Sequence, residues 1–186
     1  MIKNKYITSY FPLLSIVLFS MSLGICISFW LIGLFRSLGV YEGLMTFFSA
    51  RELTLTLFLL LSFLFFMLFA ALKLISDTLM GLSLLFFSTD LKGEGVDRAS
   101  RGVILFVIGS FISIIVSHSL LFIVITFLAT ACTYFVYAVY RMHEMFKPAA
   151  LIGFIFFHVF SWSIFTLVIA YFSFKFYHSM LNSLPV

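Results

Sequence analysis

Residues 53–72 read LTLTLFLLLSFLFFMLFAAL, twenty residues without a charge. As an α-helix rising about 1.5 Å per residue, the stretch covers about 30 Å, the thickness of a bilayer's hydrocarbon core. Lipid satisfies its side chains, and the helix satisfies its backbone. On one side Arg51 and Glu52 close it. On the other, Lys73 and Asp77 interrupt the run before it resumes as apolar over 79–87. Thirty-five helical residues would extend about 52 Å, well past the core. Residues 53–72 are therefore the expected span, and 73–88 is either a protruding extension or a helix lying in the interface.

Working outward, the same pattern recurs. Residues 11–35 are uncharged, with Pro12 at the start, where a missing backbone N–H costs least. Arg36 ends that run, and Gly39, Tyr41, Glu42 and Gly43 follow in a loop. Lys3 and Lys5 ahead of it resemble a signal peptide, with Ser20 and Ser22 at a possible cleavage site. The apolar stretch outlasts a signal core, so an uncleaved first span is expected. Residues 89–101 form the hydrophilic loop (DLKGEGVDRASR over 90–101), without calcium-loop or phosphate-loop spacing. Residues 102–140 carry no formal charge. One straight helix would run about 58 Å, so a hairpin of spans 102–117 and 119–140 is expected, turning near Ser117, His118 and Ser119. Its short first arm implies local bilayer thinning or a tilted partner. After Arg141, His143, Glu144 and Lys147, Pro148 opens a last span at 149–174, with Lys175 placed to snorkel. The expected fold is a single-domain, all-α polytopic transmembrane helical bundle of about five spans.

Whole-chain composition agrees. Of 186 residues, 63% are hydrophobic and 10% charged, against about 25% charged in soluble domains. Mean hydropathy is +1.23. The net charge of +4 comes from Lys and Arg at the ends of apolar runs, which suits anionic headgroups and excludes a nucleic-acid stripe. Cys26 and Cys132 sit inside apolar runs and read as small hydrophobes.

Five spans with the N-terminus inside put Lys3, Lys5, Lys73, Lys92, Arg98, Arg101, Arg141 and Lys147 on the cytoplasmic side, and Arg36, Arg51 and Lys175 outside. Eight against three predicts N-in, C-out, whereas four spans would give seven against four. Tyr6, Tyr10, Tyr137 and Tyr140 would form an inner aromatic belt, with Trp30, Tyr41, Tyr171 and Tyr177 near the outer one.

Few residues suggest chemistry. Ser20, Gly24 and Ser28 recur every four residues in the first span, and Gly109, Ser113 and Ser117 do so in the third. Each set lies on one helix face and lets another backbone approach. Packing within the chain is the default for both ridges. Lys73 and Asp77, one turn apart, can pair at the headgroup boundary or form an ion relay. His158 lies inside the membrane, with Ser161 and Trp162 nearby. His118, His143 and His178 lie at boundaries, and no two histidines share i, i+4 spacing, so no metal or cofactor is expected. There is no HExxH, no GxSxG and no carboxylate pair deep in a span, so the chain is not expected to be an enzyme.

The segments 6–14 (YITSYFPLL) and 82–88 (LSLLFFS), the latter followed by a polar loop, resemble the YufK-like family of small membrane proteins of low-GC Gram-positive bacteria. The resemblance implies a bacterial plasma membrane and supplies no catalytic residues. Three functions fit the residues. One is an accessory or assembly subunit that binds the bilayer and, through helix faces, other membrane proteins or itself. The next is a small-solute transporter or substrate-binding subunit using Lys73, Asp77 and His158. Last comes a lipid-modifying or lipid-sensing enzyme using the loop 90–101 with Arg141, His143 and Glu144.

Overall fold

A computed structural model of the chain describes residues 5–89, 95 and 99–183, with side chains described from 10 to 179 outside the loop 90–98. Lys3, Lys92, Arg98, most of the loop 89–101 and the side chains of Lys5 and Tyr6 lie outside the described residues. The regular elements among the described residues are all helices: α1 (Lys5–Ser37), α2 (Val40–Met45), α3 (Ala50–Phe87), α4 (Val103–Ile115), α5 (Leu120–Met142) and α6 (Pro148–Ser183), with a 3-10 turn at His143–Met145. Four helices are long and apolar enough to cross a membrane, and α4 is a shorter apolar one. The protein is an all-α polytopic membrane bundle.

Residues 53–72 and 73–87 form one unbroken helix, α3, of 38 residues. Its start is fixed by a reciprocal cap. The Ser49 hydroxyl accepts from the Glu52 N–H at 3.3 Å, and the Glu52 carboxylate accepts from the Ser49 N–H at 2.8 Å. These bonds, the backbone one foremost, hold the Glu52 carboxyl below its ordinary range. The apolar stretch 102–140 divides into α4 and α5 across a turn at 116–119. With no Gly or Pro there, the backbone closes on itself: Ser117 N–H donates to Ile114 O and Ser119 N–H to Val116 O, both at 3.2 Å.

α1 is the central element. It packs along α3 on one side and α4 on another, and touches α5. A third of its apolar window is buried, against about a tenth or less for the other long helices. Serines at 15, 20, 22 and 28 turn inward with Phe19. Gly24 sets the spacing to α3, because a Cβ there would lie 2.1 Å from Ser62 Oγ and 3.1 Å from the Ser62 backbone nitrogen. Five residues away Phe19 meets Phe69 of α3 and Phe127 of α5, with ring centroids 5.8 and 5.4 Å apart. Phe106 of α4 joins the cluster through Phe127 and Tyr134. Such ring pairs contribute about 0.5–1.5 kcal/mol each beyond area burial.

A second cluster ties the end of the bundle where α3 stops and α4 and α6 begin, here termed the proximal end. Met80, Ala99, Ala138, Met142, Phe146 and Phe154 are buried together. The Thr89 N–H and hydroxyl both donate to the Met145 carbonyl, at 3.2 and 3.0 Å, clasping the end of α3 to the 3-10 turn.

The α4–α5 hairpin stops well short of the opposite, distal end. Ser113 bonds Ser22, and from that level α1 continues fifteen residues to Ser37, about 22 Å, while α4 ends two residues on. His158 of α6 contacts Phe135 of α5. Beyond that level α5 reaches back fifteen residues to Leu120, whereas α6 runs on for twenty-five. Its last turns therefore overshoot the hairpin by about 15 Å. Residues 171–179 are accordingly exposed on every face.

Gly24 and Gly33 predict opposite outcomes. Gly24→Leu is expected to lower stability by about 1–3 kcal/mol through overpacking against Ser62. A Cβ at Gly33 meets nothing within 4 Å, so Gly33→Ala should leave stability unchanged or raise it by up to about 1 kcal/mol. Thermal unfolding of the detergent-solubilised chain, followed by helical circular dichroism, checks both.

Candidate functional site

Both small-residue ridges pack within the chain, each against a different helix. Ser20 and Ser28 are buried, donating to the Ile16 and Ile25 carbonyls of their own helix at 2.6 and 2.9 Å, and Gly24 lies against Ser62. On α4, Gly109 lies against Thr130 of α5, with a Cβ position 2.2 Å from its Oγ1. Ser113 faces the other way, toward α1: its hydroxyl donates to Ser22 Oγ at 2.8 Å, and the Ser22 hydroxyl donates to the Ser113 carbonyl at 2.6 Å. Ser117, the third member, is half-buried at the turn. The α4 ridge thus wedges between α1 and α5. A hydroxyl pair buried this way satisfies both oxygens without water, which hydrocarbon requires.

Ser22 pairs its hydroxyl with that of Ser113 on another helix, yet it does not belong to the ridge that spacing picks out. A seven-residue step from Ser15, another buried serine, is the signal that points to it.

Lys73 and Asp77 form an ion pair on the surface of α3, their side chains 36% and 61% exposed. His158 is elsewhere and enclosed. It is 5% exposed, with Phe154, Phe135 and Phe157 rings at 4.7, 5.5 and 6.2 Å. Its Nδ1 is buried beside the Phe154 backbone of its own helix, without a hydrogen bond of full geometry. The pair and the histidine are therefore not brought into one constellation. Phe135 of α5 and Phe154 and Phe157 of its own helix enclose it, which makes His158 part of the packing between α5 and α6.

At the proximal end, Arg101, Tyr140, Arg141, His143 and Glu144 gather around one pocket. Forty residues separate the two arginines in the chain.

Two expectations follow. His158→Phe should retain stability, because a ring of similar volume replaces one with an unpartnered buried nitrogen, whereas His158→Ala should cost about 2–5 kcal/mol. The Lys73→Ala/Asp77→Ala double variant should shift stability by less than about 0.5 kcal/mol, as exposed i, i+4 pairs do. Unfolding midpoints in detergent measure each.

No solved structure matches the chain. Residues 28–185 match the Family of unknown function (DUF5366). Over 184 residues, 99% of this chain and 100% of the relative, the chain is 38% identical to the "Uncharacterized membrane protein YufK" of Bacillus subtilis (strain 168). The likeness carried by segments 6–14 and 82–88 thus extends along nearly the full length, and the chain belongs to the DUF5366 family.

Proposed function

We propose that the protein is a non-enzymatic accessory or assembly subunit of a bacterial plasma membrane, acting through helix–helix contacts with other membrane proteins or with itself. The observation that carries this is the distal half of α6. Its own bundle leaves it bare, because the α4–α5 hairpin ends about 15 Å lower. Leu167, Tyr171, Phe172, Phe174, Phe176 and Tyr177 are each more than 60% exposed, and consecutive residues around the helix are exposed alike. A helix facing lipid on one stripe needs no partner. One bare on all sides beside a step in its bundle offers a second helix a seat, and the rings supply its packing. The small-residue ridges, occupied within the chain, hold the subunit together rather than join it to others. The N-terminus is cytoplasmic and the C-terminus outside, as the distribution of Lys and Arg supports.

A small-solute transporter working through Lys73, Asp77 and His158 is the competing function. Its support is the buried, unpartnered Nδ1 of His158. Solute uptake lost in the Lys73→Ala/Asp77→Ala variant would favour it.

Affinity-tagged full-length chain, purified in mild detergent, is expected to carry a stoichiometric partner or a second copy of itself. Phe172→Ala/Phe174→Ala/Phe176→Ala should release that companion while leaving the helical unfolding midpoint unchanged. A monodisperse, companion-free monomer from native membranes would sink the subunit role.

A further inference from the structure

The proximal end has a two-part cavity, independent of the bare α6 face at the other end. The first part, ≈340 Å³, is lined by Arg101, Tyr140, Arg141, His143 and Glu144. The second, ≈450 Å³, is apolar and runs along α5 toward α6, lined by Phe135, Val136, Val139, Tyr140, His143 and Ile155. Both volumes fall within the range of about 300–1,000 Å³ typical of small-molecule sites. Tyr140 and His143 belong to both, so the parts adjoin.

These two rings form a fixed wall. They stack with centroids 5.8 Å apart, and His143 Nδ1 lies 2.7 Å from the Tyr140 carbonyl. A carbonyl only accepts, so Nδ1 carries the proton there. The groove residues Phe135, Val136, Val139 and Tyr140 follow one stripe of α5, which His143 of the 3-10 turn continues. That stripe is apolar at its deep end and polar where Arg141 closes the uncharged stretch 102–140.

Charge selects the occupant of the polar part. Among the described lining residues two arginines stand against one carboxylate, an excess of one positive charge. Glu144 is engaged in a contact of its own. Arg141 Nε is buried and bonds to no described group. A buried cationic donor without an acceptor is costly, and a phosphate oxygen supplies one in the geometry guanidinium favours. Arg101 and Arg141 bracket the apolar hairpin α4–α5, which sets them at headgroup depth with the groove opening below into the acyl region.

We propose that this cavity binds one anionic phospholipid. Arg101 and Arg141 hold the phosphodiester, and one acyl chain lies in the groove over Val136, Val139 and Ile155. The phosphodiester's single negative charge complements the pocket. A zwitterionic headgroup leaves the arginines' charge unmatched, and free phosphate leaves the groove empty.

Native mass spectrometry of the full-length protein, released from detergent after incubation with equimolar phosphatidylglycerol and phosphatidylcholine, tests this. The expected result is one retained phosphatidylglycerol, at least fivefold over phosphatidylcholine. Arg101→Gln/Arg141→Gln should bring that ratio close to one. Val139→Trp fills the groove with both arginines intact and should cut retention of either lipid at least fivefold. Helical circular dichroism verifies each variant. Should the double variant not fold, Arg101→Gln alone, at an exposed residue, must lower the ratio at least threefold. Equal retention of the two lipids by the unaltered protein, or variants that retain phosphatidylglycerol as it does, would overturn the site. So would displacement of the lipid by millimolar inorganic phosphate, which places all recognition in the headgroup pocket and none in the groove.

Discussion

Close approach of helix backbones at Gly24 and Gly109 is the contact on which the rest of this bundle is hung. Hydrocarbon gives apolar side chains no reason to prefer one another over lipid, so helices associate here by fit and by hydrogen bonds that lipid cannot offer. Gly24 lets α3 lie against α1 at Ser62, and Gly109 lets α5 lie against α4 at Thr130. Once those backbones are close, Ser22 and Ser113 fall within hydrogen-bonding reach, and Phe19, Phe69 and Phe127 meet in one cluster across three helices. α1 thereby becomes the most buried of the four long helices, the other three spending most of their surface on the surroundings.

The brevity of α4 then shapes the molecule. Thirteen residues give about 20 Å, two-thirds of a hydrocarbon core. The hairpin α4–α5 is anchored at the proximal end by the Met142–Phe146–Phe154 cluster and fixed in height by the Ser22–Ser113 bonds. It therefore cannot accompany α1, α3 and α6 to the distal end. Two different ends result. The proximal one is packed, clasped by Thr89 and edged with charge. The distal one has a step, with α6 standing clear of its neighbours. The turn at 116–119 closes its backbone on itself, as a turn shorter than its neighbouring helices must when no water is at hand.

Polar residues within the bundle divide by whether the fold has used them. Ser20, Ser28, Ser83, Ser110 and Thr130 return their hydroxyls to carbonyls of their own helices and add little to specificity. Ser22 and Ser113 join two helices. His158 is held by rings, with Nδ1 unpartnered. Arg141 Nε is likewise unpartnered, but it borders a cavity with room for an acceptor, whereas His158 is walled in.

Hydropathy and helix rise alone determined that this chain lives in lipid as a helical bundle. A run such as 53–72 has no other stable solvent, and that is a property of residues in sequence. The four-residue spacing of Ser20, Gly24 and Ser28 likewise marked a face of close approach before any partner was known, because helical periodicity is local. Tertiary structure alone decided which faces meet. Nothing near Ser22 in the chain points to Ser113, ninety-one residues on, and Phe19 cannot name Phe69 or Phe127. Arg101 and Arg141 come to one pocket only because α4 and α5 fold back together, returning the two ends of an uncharged stretch to the same height. Hydrophobic pattern fixes each helix against lipid, but in a solvent as apolar as the side chains themselves it does not choose among helices. Steric fit makes that choice, and fit belongs to pairs of surfaces that exist only once the bundle has formed.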